Sequence, residues 1–93
     1  MIRSFACAET DRLFNDELSR RLPTQIQRVA RRKLLLLNQA RRLDDLRAPP
    51  GNRLEALKGE RLGQHSIRVN DQWRICFRWL GADTFDVELV DYH

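Results

Sequence analysis

From residue 66 to residue 90 the chain alternates apolar and polar side chains through three short runs, and no other feature constrains its fold as tightly. Runs 66–69, 73–79 and 85–90 switch faces at every step, the period of a β-strand with one covered side. Asn70 and Asp71, then residues 80–83, read as hairpin connections, so the runs predict an antiparallel meander. Ile67, Val69, Trp73, Ile75, Phe77, Trp79, Phe85, Val87 and Leu89 fall on the face to be buried. Ser66, Arg68, Arg74, Cys76, Arg78, Asp86, Glu88, Val90 and, if the last strand continues, Tyr92 share the open one.

A sheet with one apolar face needs a cover. Ile26, Val29, Ala30, Leu34, Leu37 and Ala40 recur at helical spacing, and Leu35 and Leu36 broaden the stripe. Thr24 with Gln27 three residues later, just after Pro23, predicts a capping box at the start of this helix. Upstream, Thr10 or Asp11 is the expected cap of a shorter helix carrying Leu13, Phe14 and Leu18, and residues 2–5 read as a brief strand. Residues 43–46 add a helical turn. The stretch from Arg47 to Asn52, with Pro49, Pro50 and Gly51, is an ordered loop that brings residues 53–59 to the sheet edge. The expected class is α+β: an antiparallel twisted sheet packed against an N-terminal helical pair, in a single domain over residues 1–93.

Apolar residues at 42% and charged residues at 32% rule out wholesale disorder. The run Leu34 to Leu37 is too short to span a bilayer, and the N-terminus shows no extended apolar segment of a signal peptide. Cys7 and Cys76 form no CxxC pair, so both are expected to be reduced, small hydrophobes in a cytoplasmic protein. The net charge is +4, and of 17 basic residues only Lys33 and Lys58 are lysines. Arginine's planar fork suits a phosphate-bearing partner, and an acidic protein would explain the same bias. Arg28, Arg31 and Arg32 share one face of the long helix, as a solvated surface or as a surface for RNA or an acidic partner.

The open sheet face therefore collects Arg68, Arg74, Arg78 and Tyr92. Arg78 is expected to pair with Asp86 or Glu88, whereas Arg68 and Arg74, joined by Lys58 from the loop, make a cationic pocket. His65 reads equally as a structural residue or a proton carrier. His93, beside Tyr92 at the last position, suits proton transfer near neutrality. Two histidines without cysteine ligands or metal-binding spacing make a poor metal site, and no cofactor motif is present. Cations, a phenol and imidazoles suit RNA cleavage by transesterification, in which the 2′-OH attacks its own phosphate, so DNA would not serve.

LEALKG at 54–59, GQHSIRVNDQWRICF at 63–77 and VDYH at 90–93 closely resemble HigB-type toxins of bacterial toxin–antitoxin modules, members of the RelE superfamily of ribosome-dependent mRNA endonucleases. MIRSF at the start and PPGNRLE at 49–55 fit the same pattern, so the resemblance covers essentially the whole chain. It implies a RelE-like small RNase fold, metal-free cleavage of mRNA in the ribosomal A site, and a HigA-like helix-turn-helix antitoxin through which alone DNA would be bound. By position it also implies that Lys58 and Arg74 hold phosphate and that Asp91, Tyr92 and His93 form the C-terminal catalytic group. Glu55 stands where several relatives carry a histidine, and a carboxylate there suits a base better than a proton donor. The expected set is Arg74, Tyr92, His93, Asp91 and Glu55 for chemistry, with Lys58, Arg68, Arg61 and His65 toward RNA. The rival reading is a non-catalytic basic module that docks on RNA, the ribosome or a protein and inhibits by occupancy.

Overall fold

The computed structural model describes residues 1–92; His93, one of the expected catalytic groups, lies outside the described residues. Two helices, α1 (Ala8–Phe14) and α2 (Thr24–Gln39), precede four strands, β1 (Glu55–Ala56), β2 (His65–Arg68), β3 (Trp73–Leu80) and β4 (Asp83–Asp91). The sheet runs in the order β1-β2-β3-β4 with every neighbour antiparallel, so the expected meander gains a short edge strand from the loop segment. Single 3-10 turns at Leu43–Arg47, Pro50–Asn52 and Gly59–Arg61 shape the connections.

The α2 stripe lands where its spacing predicts: Ile26, Ala30, Leu34 and Leu37 are buried against Ile67, Ile75, Phe77, Val87 and Leu89 of the sheet. Trp73 and Trp79, expected in that core, sit half-buried at its margin. The helix starts differ from expectation. Pro23, with extended ψ of 131°, occupies the cap position of α2, so Thr24 is already helical and cannot cap. Gln27 instead turns inward: it accepts from the Ser19 amide and donates to the carbonyls of Ser19 and Leu22, pinning the loop between the helices. Thr10 likewise caps nothing. Its buried hydroxyl accepts the Leu89 amide of β4 at 3.0 Å. Leu18 lies beyond the helix, which stops at Phe14 before Asp16 takes a left-handed φ of 63°, and its side chain is 82% exposed.

Residues 2–5 run parallel to β4 through isolated bridges, Ile2 to Thr84 and Phe5 to Val87, rather than as a continuous strand. The interruption is a bulge. Cys76 faces Glu88, but Arg78 faces Phe85, so Asp86 and Val87 both stand opposite Phe77. Asp86 adopts a positive φ of 54°, tolerable for an aspartate, and its amide turns out to the Ser4 hydroxyl. The extra residue reverses the alternation below it. Thr84 becomes fully buried, and Phe85, expected in the core, shares the open face with Arg78.

The proline-rich loop is tied down by Asn52, which has no exposure. Its Oδ1 accepts the Lys33 ammonium and its Nδ2 donates to the Leu46 carbonyl, joining α2, the 3-10 turn and the loop. Burial, then the charges of Arg32 and Arg68, hold Lys33 below the usual lysine range. Asn52→Ala would leave a half-buried ammonium and a carbonyl without partners, so a loss of about 1–3 kcal/mol is expected from urea unfolding. A loss within error of zero would show that the anchor is not made.

Candidate active site

The site grows from cross-strand rows on the sheet face away from the helices. Directly paired residues share a face, and one row across all four strands reads Glu55, Ser66, Cys76, Glu88. The next row toward the end of β4 reads Arg68, Arg74, Val90. The face is less open than alternation suggests, because Ser66 and Cys76 have no exposure. Burial pushes the Cys76 thiol up; the Arg61 and Arg74 charges oppose that rise, and Glu88 and Glu55 add to it. Those four ionic side chains thus gather around one strand residue.

Arg74 is the most constrained of them. Its Nε donates to the Ser66 hydroxyl at 2.7 Å, and its Nη2 donates to the Arg53 carbonyl at 2.6 Å and the Ser66 carbonyl at 3.3 Å. Two nitrogens committed to scaffold oxygens fix the guanidinium plane. The Tyr92 ring flanks it, 6.0 Å from Cζ to the centroid, within the range of a cation–π contact. Tyr92 is held in turn by its amide, which donates to the Gln72 carbonyl at 2.6 Å, while the Gln72 side chain donates to Asp91 at 3.1 Å. Arg53 can present its carbonyl because it takes a left-handed φ of 45° directly after the Asn52 anchor.

The remaining expected residues divide. Arg68 is the cross-strand partner of Arg74 and is ion-paired with Asp71. Arg61 reaches Glu88 at 3.4 Å and Gln64 at 3.0 Å, on the Cys76 side of the same face. Lys58 is exposed at the start of the turn after β1; its carbonyl accepts the Arg61 amide, and its ammonium makes no hydrogen bond or ion pair with a described residue. Glu55 is exposed on the Ser66 row. His65 does not join them. It stacks on the buried Phe77 with centroids 6.3 Å apart, on the helix side of the sheet, and its Nδ1 is buried without a hydrogen-bond partner. Arg78 pairs with Asp86 at 3.4 Å, as expected. Sequence reasoning placed Ser66 beside Arg74 but assigned it no work; the Arg53 carbonyl, a backbone group, left no side-chain signal at all.

A fixed guanidinium beside a phenol, with a carboxylate one row away and a lysine on the adjoining turn, can hold a phosphodiester and move protons around it. Known proteins resemble this chain over most or all of its length. Residues 3–93 match the family model described as the RelE-like toxin of type II toxin-antitoxin system HigB. Toxin HigB-1 of Vibrio cholerae serotype O1 is 46% identical over 66 residues, which cover 71% of this chain and 70% of that protein. Endoribonuclease HigB of Proteus vulgaris is 30% identical over 93 residues, all of both chains. The chain therefore belongs to the HigB-like family, the RelE-like toxins of type II toxin–antitoxin systems.

Proposed function

We propose that this toxin is a ribosome-dependent endoribonuclease that cleaves mRNA in the A site by 2′-OH transesterification and so stops translation and growth. The observation that carries this reading is the Arg74 guanidinium, held by Ser66 and the Arg53 carbonyl and flanked by Tyr92. Nη1, the nitrogen not used by Ser66 or Arg53, then meets a phosphate oxygen, with Lys58 and Arg68 adding charge. A base, Glu55, takes the 2′-OH proton. The 2′ oxygen bonds to phosphorus, the bond to the 5′ oxygen breaks, and an acid of the C-terminal group, Asp91, Tyr92 and His93, protonates the departing oxygen. The products are a 2′,3′-cyclic phosphate and a 5′-hydroxyl. The fixed cation favours the more highly charged transition state over the ground state, which is what raises a rate.

In this reading the toxin works in the cytoplasm, and a HigA-like helix-turn-helix antitoxin restrains it and carries any contact with DNA. Family membership supports the antitoxin partner. No helix among the described residues is long and apolar enough to cross a membrane. Primer extension on mRNA from cells expressing the protein tests the reading, with translation running or blocked. Discrete cuts that vanish when translation is blocked are expected. Growth arrest without cuts would instead favour a protein that inhibits by occupying its target.

A further inference from the structure

The bulge in β4 creates a feature that the catalytic reading does not use. By turning Phe85 out of the core it places an aromatic ring directly across from Arg78, on the same sheet face as Arg74. Gly63, Arg78, Trp79, Leu80, Phe85 and Asp86 line an open groove of about 410 Å³ there. Gly63 sits at its wall with φ of 92°, and a Cβ at that position would come within 3.2 Å of Arg78 Nη1. A side chain at 63 would therefore crowd the guanidinium and strain the backbone at that φ. Arg78 is ion-paired with Asp86 at 3.4 Å, so the groove is nearly neutral while remaining rich in flat groups.

We propose that Phe85 and Arg78 form a nucleobase-stacking subsite for the single-stranded RNA whose phosphate Arg74 holds; this rests on the endoribonuclease reading above. An aromatic ring beside an arginine plane is the recurring platform for an unpaired base. The carboxylate of Asp86 makes the groove unsuited to a phosphate and leaves it suited to an uncharged base. Arg74 and Arg78 lie four residues apart on β3, a separation of ~13 Å at strand rise. The stacked base thus belongs to a nucleotide neighbouring the one that reacts. Arg61, on the intervening Cys76–Glu88 row, lies where the connecting backbone would pass.

The test is cleavage of a defined mRNA programmed on ribosomes in a translation extract, comparing Phe85→Leu, Phe85→Tyr, Arg78→Ala and Arg74→Ala with the natural protein. Thermal melts of each variant run alongside. Phe85→Leu keeps an apolar side chain but removes the stacking face, so KM is expected to rise about ten-fold with kcat unchanged. Phe85→Tyr keeps the aromatic face and should retain the natural KM. Arg78→Ala alters an exposed side chain, keeps the proposal testable if Phe85→Leu unfolds, and should raise KM several-fold. Natural KM in both Phe85→Leu and Arg78→Ala, with Arg74→Ala inactive, would overturn the subsite and leave the nuclease reading intact. No cleavage by the natural protein would instead overturn the nuclease reading, and the subsite with it, whereas full activity in Arg74→Ala would overturn the phosphate role of Arg74 from which the subsite is measured. Unchanged cleavage with lost antitoxin binding would assign the groove to a protein partner and overturn the proposal.

Discussion

Arg74→Ala is expected to lower mRNA cleavage by about 10²–10³-fold, the usual cost of deleting one preorganised group that meets developing charge. Growth inhibition should disappear with it. The Arg74 side chain is fixed by three hydrogen bonds that it donates to the scaffold oxygens of Ser66 and Arg53. An orientation set before substrate arrives needs no reorganisation during reaction. The fold should survive, because the apolar packing of the sheet is on its other face, with Ile75 and Phe77. Arg74→Lys separates charge from geometry: an ammonium keeps the charge but cannot bond Ser66 and Arg53 while facing a phosphate. It should therefore recover little activity. Primer extension together with a melting curve reads both, and natural cutting by the Arg74→Ala protein would refute the assignment.

Phe77→Ala should cost the most stability, about 3–5 kcal/mol for a large buried aromatic. Phe77 has no exposure, stands opposite the two bulged residues of β4, and stacks under His65. Removing it opens a cavity beneath the one place where β3 and β4 lose regular pairing, so little can relax to fill it. Domains of this size are stable by about 5–15 kcal/mol in all, so the loss would take a large share of the total. Urea unfolding measures the loss directly. A value under about 1 kcal/mol would mean that the surrounding core collapses around the gap, contrary to the close packing expected of an interior.

Much of this was legible without coordinates. The alternation in β2 and β3 put Ile67, Ile75 and Phe77 on one side and Ser66, Arg68 and Arg74 on the other, and the structure agrees. His65, expected toward RNA, instead lies on the covered face; the signal was its place two residues before Ile67, which puts both on one side of the strand. The failures have physical causes. Thr10 and Gln27 resemble caps by local pattern, but distant amides and carbonyls compete for the same side-chain atoms, and those partners are invisible in a window of four residues.

By itself the sequence determined the meander, the buried stripe of α2 and the row that contains Arg74, because residue period is a local property that the backbone must obey. It also carried the family, in the spacing of LKG, SIRVN, WRI and DYH. Only the tertiary structure decided which way Phe85 faces and what holds Arg74. One unpaired residue at the bulge reverses every face below it without changing the alternation of the letters. The Arg53 carbonyl reaches Arg74 across 21 residues, through a loop whose position Asn52 and Lys33 set from α2. Those distances are closed by folding, and no local pattern encodes them.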